Sequence, residues 1–64
     1  MAKYWGIFVL DDVCGWLQEE GHTNRRDAAA AYDWLTGDGF KVKVRMYDGT
    51  PEGLQAVTEM LNRQ

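Results

Sequence analysis

Cys14 and His22 are the only cysteine and the only histidine in this chain, and they set the limit on the chemistry it can do. A thiol becomes a useful nucleophile beside a base, and the base needs an orienting partner. Here a predicted strand and loop separate the two, with no acidic orienter at a telling position, so Cys14 reads as an inert thiol. One cysteine and one histidine cannot build the usual four-ligand zinc site, and a single cysteine allows no intrachain disulfide. The acidic pairs Asp11-Asp12 and Glu19-Glu20 fall at expected hairpin ends, without calcium-loop spacing or a phosphate-cradling glycine pattern. Gly37-Asp38-Gly39 reads as a helix stop rather than a cofactor loop. The chain is therefore expected to be no enzyme, with no catalytic residue, cofactor or metal.

What remains is surface chemistry of two kinds. Three tryptophans, three tyrosines and two phenylalanines are many for 64 residues, and a core this small cannot bury them all. Partly exposed Trp anchors protein interfaces, which makes Trp5, Trp16 and Trp34 candidate partner-binding residues. Arg25 and Arg26 join them, because cations in the first turn of a helix oppose its dipole and call for another reason to be there. The second surface is an alternating run, Lys41, Lys43, Arg45 and Tyr47. On an open sheet face such a run could track phosphates and stack bases of single-stranded nucleic acid. Alternating cations also keep an edge strand soluble and unpaired, and no ribonucleoprotein consensus accompanies them.

Composition narrows the classes further. The net charge of −3 lacks the basic excess of a phosphate-dominated nucleic-acid binder, and is too small for an acidic DNA mimic. Tyr4 to Leu10 is too short, and too poorly followed, for a signal peptide, and no run approaches the ~20 apolar residues of a membrane span. The sequence predicts a cytoplasmic protein in a reducing compartment. One domain of this size buries roughly 60% of its unfolded surface and gains about 3–5 kcal/mol from its core. A protein partner, or self-association into a homodimer, would supplement that.

The elements follow from periodicity. Asn24 to Gly37 predicts a helix, capped by Asn24 with Asp27 at the capping-box position and ended by Gly37 in the left-handed conformation. Its apolar stripe is Ala28, Ala31, Tyr32 and Leu35. Tyr4 to Leu10, apolar on both alternating sets, suits a central strand. Cys14 to Gln18 returns as a second strand with a bulge at Gly15, and Glu19 to Thr23 reads as a polar connection. Phe40 to Tyr47 alternates as a half-buried strand, with Phe40, Val42, Val44 and Met46 inward. Thr50-Pro51-Glu52 opens a second helix whose stripe is Leu54, Val57, Thr58 and Leu61, with Met60 beside it.

The order β-β-α-β-α, with a right-handed crossover, predicts an α+β two-layer sandwich in which a sheet of order 2-1-3 carries both helices on one face. In size, acidity, aromatic content and hairpin-helix-strand-helix layout the whole chain resembles the small proteins that phages and mobile elements encode, including anti-CRISPR and other host-takeover inhibitors. The resemblance implies action by occupying a host protein's surface. The expected function is protein binding without catalysis. A single-stranded nucleic-acid module and a self-associating structural module are the alternatives.

Overall fold

The computed structural model describes residues 3–63. Strand β1 (Tyr4–Asp11) turns into β2 (Gly15–His22), helix α1 (Arg25–Gly37) crosses over to β3 (Val42–Tyr47), and helix α2 (Pro51–Asn62) follows. The sheet has the order β2-β1-β3, with β1 antiparallel to both neighbours. The α+β class and the strand order are those the sequence predicts.

The layering differs. Ile7 and Phe8 are adjacent on the central strand and both are 0% exposed. Successive side chains on a strand point to opposite faces, so both faces of the sheet are covered. On one face, α1 contacts all three strands, and Ala28, Ala31 and Leu35 pack on Ile7 and Val9, with Trp5, Val42 and Val44 around them. On the other, α2 contacts β3 and β2, running from Tyr47 and Asp48, beside Gly53, to Trp16, which meets Asn62. It crosses over Phe8. Leu61, also fully buried, stands with Phe8 outside the α1 cluster and marks this second, smaller core. The molecule is a three-layer α/β/α sandwich, not a two-layer one. With β1 enclosed on both sides, its run Gly-Ile-Phe-Val is buried at every position.

Local chemistry sets the boundaries. Asn24 caps α1, its side-chain oxygen accepting from the Arg26 N–H at 2.7 Å. The helix stops through Gly39 rather than Gly37: Gly39 has φ +94°, and its N–H donates to the Thr36 carbonyl at 3.0 Å. At α2 the Thr50 hydroxyl accepts from the Gly53 N–H at 3.0 Å, and Pro51 occupies the first turn, where its missing N–H costs nothing. The β1–β2 turn is closed by Asp11, whose carboxylate accepts from the Val13 and Cys14 N–H groups at 2.7 and 2.9 Å. Those bonds favour the ionised form and lower the Asp11 pKa.

Three further boundaries depart from the sequence reading. β2 continues through Glu19 and Glu20 to His22, which pairs with Trp5, so the expected polar connection is strand. The bulge lies at Glu19, where the register shifts between Ile7 and Phe8, while Gly15, at φ +80°, is the turn residue. β3 begins at Val42, leaving Phe40 outside the strand and half exposed.

Candidate protein-binding surface

Helix α1 lies along the middle of its sheet face and leaves a groove on each side. Toward β3, Trp5 and Val44 meet Arg25, Ala28, Ala29, Tyr32 and Asp33 around a groove of about 290 Å³. Toward β2, Glu20 and His22 face Asp27, Ala30, Ala31 and Trp34. The first is mostly apolar, with one cation and one anion on the helix wall. The second is the more polar of the two: His22 Nε2 lies 2.9 Å from Glu20 Oε1, and the 60% exposed Trp34 stands over it.

The candidate partner-binding residues therefore separate. Trp5 and Arg25 share the β3-side groove. Trp34 is on the far side of α1. Arg26 is exposed, and its side chain lines neither groove. Trp16 sits on the α2 face, half buried, with the Lys43 ammonium 4.8 Å from its ring centroid.

The basic run does not lie on an open face, because α2 crosses that face. The Tyr47 hydroxyl donates to Gln18 Oε1 at 2.6 Å, bridging β3 to β2 over Gly6, where a side chain would meet Gln18, Phe8 and Tyr47. Its ring meets Tyr4 edge-on at 5.4 Å. Burial, then the neighbouring Tyr4, raises the Tyr47 pKa, against the Gln18 bond, which lowers it. Lys41 belongs to a separate loop cleft with Leu10, Asp11, Asp12, Gly39 and Phe40. Arg45 is exposed, and its Nη1 donates to the carbonyl of Val44 at 2.9 Å.

Two contributors escaped the sequence reading. Tyr32 was expected in the core stripe, yet it is 40% exposed and forms the groove's rim, because α1 is centred over β1 and its stripe extends past the sheet. Asn62 looks like an ordinary last-turn residue. Its side-chain amide instead reads the backbone of Trp16 like a neighbouring strand, accepting from the N–H at 2.7 Å and donating to the carbonyl at 3.3 Å. No periodicity signals such a contact across 46 residues.

No protein family, curated protein or solved structure matches this chain.

Proposed function

We propose that the protein is a non-enzymatic binding domain that acts by protein–protein contact through the surface between α1 and β3. The carrying observation is the apolar groove of Trp5, Ala28, Ala29, Tyr32 and Val44 with Arg25 at its wall, continuous with the half-exposed Met46 on the same face of β3. Aromatic and Arg side chains around an open apolar patch are the composition of interface hot spots. The groove is small and open for a metabolite site, which usually encloses about 300–1,000 Å³. Chemistry finds little support: Cys14 stands in the turn just before β2 and His22 at its far end, about 25 Å apart at strand rise. Following the resemblance to small phage proteins, the partner in this reading is a host protein of the cytoplasm whose surface is occupied.

The test is affinity capture from a nuclease-treated bacterial lysate with the tagged protein and two variants. Tyr32→Glu puts a charge on the groove rim and is expected to abolish capture while the melting temperature stays within a few degrees; Trp34→Ala, across the helix, is expected to retain it. Capture indifferent to Tyr32→Glu, or lost on nuclease treatment, would overturn the proposal.

A further inference from the structure

The two sheet edges are closed to different degrees. The Leu10 N–H donates to the Lys41 carbonyl at 3.1 Å, which fixes the alternation of the β1–β3 ladder: Lys43, Arg45 and Tyr47 turn their backbone groups toward β1, and Val42, Val44 and Met46 turn theirs outward. Among the described residues no strand pairs with that outer row. On the opposite edge, Asn62 already occupies the outward backbone groups of Trp16, and the bulge at Glu19 kinks the strand, a device that hinders edge pairing. On β3 the Arg45 guanidinium guards the Val44 carbonyl.

We propose that the partner engages the protein as an extended segment that adds to β3 as a fourth strand, with apolar and acidic residues alternating along it. This rests on the groove being the protein-binding surface and names how it is used. A strand beside β3 would set alternate side chains on the α1 face, over the groove of Trp5, Tyr32 and Val44, which takes apolar residues. The other set falls on the face that Lys43 and Arg45 share. Arg45, exposed on that face, and Lys43, whose ammonium lies over Trp16, give it a positive potential, and Val42–Tyr47 carries no anion, so the complementary set is acidic. A partner carboxylate beside Arg45 draws the guanidinium off the Val44 carbonyl and frees that acceptor for the incoming N–H. A second copy of this chain fits poorly: two β3 strands paired antiparallel would face cations with cations, and β2 is closed by Asn62.

The probe is a capped peptide of about seven residues with alternating glutamate and valine, followed by amide hydrogen exchange and chemical shifts on the intact protein. Binding is expected to slow exchange at Val42, Val44 and Met46 by about tenfold or more. Lysine in place of glutamate should weaken affinity at least about tenfold, and N-methylation of alternate backbone nitrogens should abolish binding. Arg45→Ala separates guard from ligand: it should weaken the glutamate peptide and tighten an otherwise identical serine peptide. Protection absent from β3, tolerance of N-methylation, or equal loss with both peptides would overturn the proposal, as would a concentration-dependent dimer joined along β3. Met46→Pro deletes one outward N–H, a change edge strands accommodate, and is expected to abolish partner capture. If captured protein is lost with Tyr32→Glu but retained with Met46→Pro, the groove stands as the interface and strand addition falls.

Discussion

Leu61 reports whether α2 forms a layer of its own over Phe8. Leu61 is 2% exposed and is the one fully buried side chain of α2. Its neighbour Met60 is 60% exposed, so the two make a matched pair on one turn. Trimming a buried methylene costs about 0.5–1.5 kcal/mol in transfer and cavity energy, whereas Leu→Ala costs about 2–5. The latter is comparable to the roughly 3–5 kcal/mol that a core of this size supplies, and Leu61→Ala would leave much of the chain unfolded. Leu61→Val is therefore the usable variant, with an expected loss of about 1 kcal/mol, or about 4–8 °C in Tm for so small a domain. Met60→Ala should stay within about 0.5 kcal/mol. Urea unfolding followed by tryptophan fluorescence measures both. The layer is then tested by combining Leu61→Val with Phe8→Leu: side chains that share a core couple by about 0.5 kcal/mol or more, and independent ones add within about 0.3–0.5. Strict additivity, or equal effects of Leu61→Val and Met60→Ala, would refute the second core.

The remaining predictions concern the β2 edge and pH. Asn62→Ala removes both bonds to the Trp16 backbone and should cost about 1 kcal/mol, with faster amide exchange at Trp16; unchanged exchange there would show that the amide does not seal the edge. The raised Tyr47 pKa favours its neutral form in the fold. That contribution is complete below the ordinary value of about 10 and is lost as pH rises through the raised folded value, so the urea midpoint should fall on the alkaline side, and Tyr47→Phe should flatten the fall. Asp11 and Asp48 are shifted the other way by the N–H and hydroxyl groups they accept from. Their contribution is present above about pH 4 and is lost as pH drops through the lowered folded values; Asp48→Asn should flatten that acid limb.

The helix starts were legible because capping is local: Asn24 and Thr50 each sit two or three residues from the N–H they receive. β1 was legible as the central strand from apolar residues on both alternating sets. The same pattern also meant that both faces were covered, which the two-layer expectation did not follow. The handedness of a strand-helix-strand crossover places α1, but α2 closes no crossover among the described residues, so that rule says nothing of its side. Glu19-Glu20-Gly21 read as loop because their strand character comes from pairing with β1, a tertiary effect that overrides poor propensity. For the binding surface, residue type flagged Trp5 and Arg25, while their meeting depends on α1 lying centrally. Trp16 and Trp34 carry the same type signal and are held elsewhere by strand register and helix phase.

The central position of β1 also has a consequence in time. Its hairpin partner β2 follows within a few residues, but Tyr4 pairs with Tyr47, and Phe8 is covered by a helix that starts at Pro51. At ribosomal rates of about 5–20 residues per second, that sequence separation is on the order of two to nine seconds. For that interval a newly made chain holds its most apolar strand paired on one side only. Of the three described strands, β1 precedes the others in the chain and is the last to be enclosed, and until then it is open to chaperones and to other nascent chains.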